Sequence, residues 1–168
     1  MKIASLESHA LADGLTEVEI AHLGDLFIEE RFNAGDSLFV EGQPSRGLVF
    51  VARGRMRVVM RGHEAREHTL FELVGPTVIG EMEIVSGHPS MASVIAETDL
   101  VAHTLSHAAF AALIDCGDIV GGKILRNIAR VMARRVEQTN ARLLSLLDPG
   151  QTHALESLKK HLITEWKS

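Results

Sequence analysis

The first pattern of apolar residues along the chain is helical. Thr16 and Glu19 have the spacing of a capping box, in which each residue's side chain accepts from the other's backbone amide. The apolar residues around and after this box recur at helical spacing: Val18, Ala21, Leu23 and Leu26. The pattern therefore predicts a short helix near the start of the chain.

From Ile28 to Leu105 the pattern changes to short apolar runs separated by turn residues. The turns contain Gly, Pro, Asn or Asp and fall at residues 33–36, 42–45, 53–54, 61–63, 75–76 and 87–89. In segment 55–61 apolar and basic residues alternate, which predicts Met56, Val58 and Met60 inward and the arginines toward solvent. Turns at this spacing indicate an antiparallel barrel or sandwich.

Two further helices are predicted after the strands. Ser106 can cap a helix over residues 107–114, and Asp118 can cap a longer one that ends at Leu147. The longer helix carries an apolar stripe: Ile124, Leu125, Ile128, Val131, Met132, Val136, Leu143, Leu146 and Leu147. A helix of about 45 Å exceeds what a small β domain can cover, so we expect a parallel homodimer through residues 118–147. The alternative is a helix folded back on its own domain.

The sequence after Leu147 starts a last helix, with Pro149 at the tolerated first position. Its apolar residues share one face and predict docking: Leu155, Leu158, Leu162 and Trp166. We therefore divide the chain into a β domain with its first helix (1–117), a long helix (118–147) and a docking helix (148–168).

Charge and composition narrow the classes of function. The net charge is −5, with acids concentrated in the first fifty residues and arginines in the middle and in the long helix. The arginines predict solvated faces, or a nucleic-acid surface along Arg126, Arg130 and Arg134. The lone Cys116 excludes a disulfide framework and a four-thiolate cluster.

Other observations argue against membranes, metals and catalysis. No apolar run approaches the roughly 18 residues of a membrane span, and the first residues do not form a signal segment. We therefore expect a cytoplasmic protein. His103 and His107 are four residues apart but lie on a strand and a helix start, so their spacing predicts no metal site. No nucleophile–base pair is evident, and we expect no enzyme.

The most informative segment is 79–94, IGEMEIVSGHPSMASV, in which a Gly-Glu turn enters a short helix and the chain returns through Pro89. It resembles the phosphate-binding cassette of the cyclic-nucleotide-binding domain family, whose pattern is Gly-Glu, about six residues, then Pro-Arg-small-Ala-Thr/Ser-Val. The matching positions are Gly80, Glu81, Gly87, Pro89, Ala92, Ser93 and Val94. Ser90 stands at the position of the phosphate-binding arginine.

Segments 32–42 and 51–58 are also similar to the family, so the resemblance covers roughly residues 27–113. It implies a mainly β fold with flanking helices: an antiparallel β-roll (a jelly roll, or double-stranded β-helix) of the catabolite activator type, followed by a dimerisation helix. Those activators carry a helix-turn-helix after that helix. A single helix over 148–168 cannot form one, so we expect no DNA binding by that route.

The resemblance also implies which residues bind a ligand. It assigns the Gly80 backbone and the Glu81 carboxylate to the ribose 2′-hydroxyl, and amides around Glu83, with the missing arginine, to the phosphate. The candidate set in the cassette is Gly80, Glu81, Met82, Glu83, Pro89, Ser90, Met91, Ala92 and Ser93. Glu81 has a second interpretation, as a helix-start carboxylate.

Thr139 and Asn140 fall where the catabolite activators carry a Thr-Ser pair that reaches the adenine. Two polar residues in an apolar stripe need partners, so a ligand or a cross-dimer hydrogen bond is expected there. The alternative is that they fix the register of a coiled coil.

The missing arginine argues against tight binding. Loss of one partner of a buried charged pair costs roughly 2–5 kcal/mol, which moves a micromolar site toward the millimolar range. Glu83 adds a negative charge in the same helical turn. Two hypotheses remain. The chain is a stand-alone regulatory domain that binds cyclic AMP, cyclic GMP, a cyclic dinucleotide or a related small anion and acts as a homodimer in signal transduction. Alternatively, it is a degenerate, ligand-independent interaction module in which Met91 and Glu83 fill the former pocket.

Overall fold

The structure is a computed structural model that describes residues 3, 5–62 and 66–146, with the backbone alone for residues 143–146. The predicted docking helix over 148–168 and the predicted end of the long helix at Leu147 lie outside these residues. The chain divides into two compact units, Met1–Met132 and Ala133–Ser168. The predicted boundary between residues 117 and 118 stays a prediction.

The helices begin where the sequence placed their caps. After a 3₁₀ turn at Ala10–Ala12, the helices are α1 (Glu17–Leu26), α2 (Glu81–Ser86), α3 (His107–Asp115) and α4 (Ile119–Leu146). Thr16 Oγ1 accepts from the Glu19 amide at 3.3 Å, and Glu19 Oε2 accepts from the Thr16 amide at 2.7 Å. Ser106 Oγ accepts from the Ala109 amide at 3.2 Å. These side chains satisfy amides that a helix start leaves unpaired, which confirms both predicted caps.

The predicted face of α1 is partly wrong. Val18 is 79% exposed and Ala21 is exposed, whereas Leu23 is fully buried. Ile20 and Leu26 pack against the core together with Leu23. The residues that face the core are therefore Ile20, Leu23 and Leu26, spaced three apart. Val18 lies on the opposite side of the helix.

The strands are β1 (Ile28–Phe32), β2 (Ser37–Phe39), β3 (Leu48–Arg53), β4 (Arg55–Arg61), β5 (Glu67–Val74), β6 (Thr77–Ile79), β7 (Ser93–Ala96) and β8 (Leu100–Leu105). Within the described residues they form two four-stranded sheets, in the orders β1-β8-β3-β6 and β2-β7-β4-β5. The paired strands are antiparallel. The mainly β fold class, with flanking helices and a long helix at the end, is confirmed.

One strand departs from its predicted alternation. The register of β4 against β5 shifts between Val58 and Val59, as in a β-bulge. Met56 points inward as predicted, but Val59 is buried after the shift and Met60 is half-buried. The unpaired residue is Leu70 of β5, and β4 stays in register with β7, so no residue is inserted into β4 itself. The burial of Val59 in place of Met60 departs from the predicted alternation.

The core has two layers that meet at the first sheet. Val49 and Val51 of β3 belong to the cluster between the sheets, with residues of β2, β4, β7 and β8. Leu48 and Phe50 of the same strand belong to a second cluster, which packs the sheet against the helices and the first residues of the chain. Because both faces of β3 are covered, four consecutive residues of this strand are buried rather than every second one.

The first half of α4 packs on its own domain. Ile124 and Ile128, which the sequence assigned to a stripe facing a second copy, are fully buried in the cluster beneath the helices. For this half of the helix the alternative interpretation is therefore correct. Asp118 Oδ1 accepts from the Val120 amide at 2.8 Å and caps the start of α4 as predicted.

Candidate ligand-binding site

Gly80 makes the turn from β6 into α2. Its φ is +78°, in the left-handed region that L side chains rarely adopt. A Cβ at this position would overlap the Gly47 carbonyl oxygen and lie 2.8 Å from the Phe39 ring. Glycine is therefore required here for two independent reasons, backbone angle and lack of space.

The carboxylate that follows this turn is buried. Glu81 is the first residue of α2, one position earlier than the predicted start near Met82, and it is 5% exposed. The helix has six residues and ends at Gly87, whose φ is +71° and whose amide donates to the Glu83 carbonyl at 2.8 Å. The Gly-Glu half of the cassette thus has a constrained geometry.

Ser90, at the position of the missing arginine, is held by main-chain hydrogen bonds. Its amide donates to the Gln43 carbonyl at 2.9 Å, and its carbonyl accepts from the Gly42 amide at 2.8 Å. The residue is 3% exposed, and its Oγ has no hydrogen-bond partner within the described ranges. A buried hydroxyl without a partner in the protein is rare in folded structures.

Glu83 and Met91 are brought together across the cassette. The Met91 amide donates to Glu83 Oε1 at 3.1 Å. The Met91 side chain is 53% exposed, so it does not fill a pocket as the second hypothesis expected. The Glu83 carboxylate, in contrast, accepts the hydrogen bond of the Met91 amide, which is then not available to a ligand.

Three residues of the loop between β2 and β3 support the cassette, and the sequence analysis missed them. The Glu41 amide donates to Ser93 Oγ at 3.0 Å, and Glu41 Oε2 accepts from the Arg61 amide at 2.8 Å. Gly42 and Gln43 supply the hydrogen bonds to Ser90 described above. The turn at 42–45 was visible in the sequence, but main-chain partners fifty residues away leave no sequence signal.

The remaining candidates are more exposed. Pro89 is exposed, Met82 is 44% exposed, and Ala92 and Ser93 are half-buried. Thr139 and Asn140 lie on α4 in the second unit and are both exposed in the single chain. The expected ligand or cross-dimer hydrogen bond at these two residues stays a prediction.

The charge of the cassette is acidic. Residues 79–94 contain Glu81 and Glu83 and no lysine or arginine. Among the residues that the structure describes, no three His, Cys, Asp or Glu side chains are grouped as metal ligands would be. No described helix is long and apolar enough to cross a membrane.

This fold and this cassette define the class of the protein. The chain belongs to the cyclic nucleotide-binding domain family, whose model matches residues 29–115. The matched range begins in β1 and ends with α3, and it contains the whole cassette.

Individual relatives agree with this assignment. The chain is 28% identical over 117 residues to the CRP-like cAMP-activated global transcriptional regulator of Mycobacterium tuberculosis, covering 69% of this chain and 50% of that protein. It spans about half the length of these curated relatives. The catabolite activator protein of Thermus thermophilus superposes with a TM-score of 0.72 at 25% identity, covering 82% of this chain and 63% of that one.

A second similar structure is the regulatory subunit of a cAMP-independent protein kinase A from Trypanosoma brucei. It has a TM-score of 0.65 at 22% identity and covers 93% of this chain and 50% of that one. It is a mutant bound to cAMP in the A site. A glutamate is replaced by alanine, a threonine seven residues later by arginine, and the next residue, a valine, by alanine. At this identity the likeness is evidence for the fold alone.

Proposed function

We propose that this chain is a regulatory domain of signal transduction that has kept the ribose half of its cassette and lost the phosphate half. It binds a cyclic nucleotide or a related anionic ligand weakly, at dissociation constants near or above a millimolar, and acts as a homodimer. The observation that carries the proposal is the constrained turn at Gly80, which presents a buried Glu81.

The ribose half is supported by geometry. A left-handed glycine packed against the Gly47 carbonyl and the Phe39 ring has little freedom to move, so the Gly80 backbone and Glu81 are positioned before any ligand arrives. Such preorganisation lowers the entropic cost of binding. In the family, this turn is the part implied to hold the ribose hydroxyl.

The phosphate half is where the chain diverges. Ser90 offers one neutral hydrogen bond in place of a guanidinium, and Glu83 places a negative charge where an anion would bind. Both changes weaken phosphate binding. The domain as proposed therefore does not respond to micromolar cyclic AMP.

The kinase regulatory subunit offers a parallel in the spacing of its substituted residues. The three residues replaced in the cAMP-bound mutant are a glutamate, a hydroxyl residue seven positions later and an aliphatic residue directly after it. Glu83, Ser90 and Met91 have the same spacing and similar chemistry. The natural subunit is described as cAMP-independent.

Homodimer formation is proposed through the part of α4 beyond the anchored half. Val136 is an exposed apolar residue on this part of the helix. A nucleic-acid surface along the arginines has less support, because Arg126 donates to the Asp13 carbonyl at 3.4 Å and Arg130 lies 3.9 Å from the Asp13 carboxylate.

Calorimetry with cyclic AMP, cyclic GMP and a cyclic dinucleotide tests the proposal. We expect weak binding by the natural chain and at least a tenfold gain for cyclic AMP in Ser90→Arg, because the cation restores a charged partner for the phosphate. Ser86→Arg is the control, since it adds the same charge at an exposed position of the same segment. Thermal unfolding checks that both variants are folded.

The Glu83–Met91 contact favours the second candidate, a ligand-independent interaction module. That candidate predicts no heat at millimolar concentrations of any of the three ligands. The absence of heat from both the natural chain and a folded Ser90→Arg variant would remove the proposed sensor.

A further inference from the structure

The geometry points to a built-in competitor for the ligand: we propose that the Glu83 carboxylate is an autoinhibitory group that occupies the Met91 amide and excludes phosphate-bearing ligands. The inference rests on the proposed function, since it explains why the cassette binds anions weakly. It makes Glu83 the residue that determines specificity against phosphate, in addition to the missing arginine.

The two backbone segments that carry the contact are held by main-chain hydrogen bonds. The Glu83 carbonyl accepts from the Gly87 amide at the end of α2. Met91 directly follows Ser90, whose amide and carbonyl are bonded to Gln43 and Gly42. The 3.1 Å hydrogen bond between Glu83 Oε1 and the Met91 amide therefore joins two positioned segments.

The chemistry of the contact imitates that of a bound anion. A backbone amide that donates to a carboxylate makes a charge-assisted hydrogen bond, which is the kind a phosphate oxygen would make. A phosphate must displace the carboxylate to reach this amide, and it then stays close to a like charge. Competition and repulsion both oppose an anion, and neither opposes an uncharged ligand.

The next residue retains an unmet polar group. Ser90 Oγ is buried and has no hydrogen-bond partner among the described residues. It belongs to the residue directly before Met91, whose amide the Glu83 carboxylate occupies. This is expected where a ligand position has been closed by one side chain rather than repacked by apolar residues.

Two substitutions separate charge from occupancy. Glu83→Gln removes the charge but keeps an oxygen that can accept from the Met91 amide, whereas Glu83→Ala removes both. The probes are cyclic AMP, inorganic sulfate as an anion without a nucleoside, and adenosine as a nucleoside without a phosphate. Glu97→Ala is the control, since it removes one negative charge at an exposed position outside the cassette.

We expect Glu83→Ala to raise the affinity for cyclic AMP and for sulfate at least tenfold. Glu83→Gln should give a smaller gain, and adenosine affinity should change by less than about twofold in every variant. A ligand-free measurement accompanies this test. Hydrogen exchange of the Met91 amide should be slow in the natural chain and at least fivefold faster in Glu83→Ala.

The outcomes distinguish this inference from the proposed function. Unchanged Met91 exchange in Glu83→Ala, or faster exchange with unchanged sulfate and cyclic AMP affinity, overturns the role of Glu83. A different result separates the two proposals. If exchange is faster and sulfate binds more tightly, the autoinhibitory contact is supported. If nucleotides still do not bind, even to the folded double variant Glu83→Ala/Ser90→Arg, the nucleotide sensor is removed.

Discussion

At the scale of single residues, the imidazole of His103 lies in an apolar environment. It is 5% exposed on β8, its ring stacks on Phe50 with centroids 6.5 Å apart, and its Nδ1 has no partner within the described part of the chain. Burial lowers the pKa of His103 from its usual 6.5, and the charge of Glu29 on the neighbouring strand opposes this only in part. His103 is therefore neutral in the folded protein near pH 7.

We predict that acid destabilises the fold through this residue. Below pH 6.5 His103 binds a proton in the unfolded chain but stays neutral in the folded protein. The free energy of unfolding therefore falls with decreasing pH until the lower pKa of the folded state is reached. One such group changes the free energy of unfolding by at most about 1.4 kcal/mol per pH unit. Urea unfolding between pH 7.5 and pH 5 measures it.

His103→Phe should flatten this pH dependence, because phenylalanine has a similar ring that does not titrate. The matched control is His88→Phe, at an exposed loop position. An equal pH dependence in the natural chain and in His103→Phe would show that other groups cause the acid sensitivity.

The sequence predicted some of these residues and missed others, for a physical reason. The capping residues Thr16 and Ser106 bond to neighbours within one helical turn. The glycines of the cassette are required by the local backbone angle. The partners of Ser90 and the burial of His103 depend on strands and loops far apart in sequence. The sequence therefore predicted local interactions but not contacts between distant segments.

At the scale of elements, one buried asparagine joins α4 to the first residues of the chain. Asn127 is fully buried, and its Nδ2 donates to the Leu11 carbonyl at 2.9 Å and to the Asp13 carbonyl at 2.8 Å. These carbonyls belong to the segment around the 3₁₀ turn. The same amide therefore satisfies two backbone acceptors and fixes where that segment lies on the helix.

We predict that Asn127→Leu lowers the free energy of unfolding by about 1–3 kcal/mol, because it removes the side-chain donor to the buried Leu11 carbonyl. Chemical denaturation measures the loss. Asn140→Leu makes the same substitution at an exposed position of the same helix and should change stability by less than about 0.5 kcal/mol. Equal effects of the two substitutions would contradict this role of Asn127.

Periodicity alone predicted the existence of elements better than their faces. From the predicted stripe on α4, Ile124 and Ile128 pack on the chain's own core, because apolar periodicity does not say which surface covers a helix face. The alternation of β4 likewise did not predict that Val59 would be buried while Met60 is half-buried.

At the scale of the whole molecule, the proposed homodimer can be tested on the second unit. Val136 is 59% exposed on α4. If this surface pairs with a second copy, Val136→Glu places a charge in an apolar interface and should raise the dimer dissociation constant at least tenfold. Analytical ultracentrifugation over a concentration series measures it.

Val18→Glu is the matched control, since Val18 is also an exposed valine but lies on α1. We expect this variant to associate like the natural chain. A natural chain that sediments as a single copy at every concentration would remove the homodimer from the proposed function.

The hydrogen bonds that hold Ser90 have an evolutionary consequence. Peptide groups, not side chains, fix this position against residues 42 and 43, so the identity of the residue there has little influence on the path of the chain. A related sequence with another residue at this position is therefore expected to keep the same main-chain path between residues 42–43 and 90.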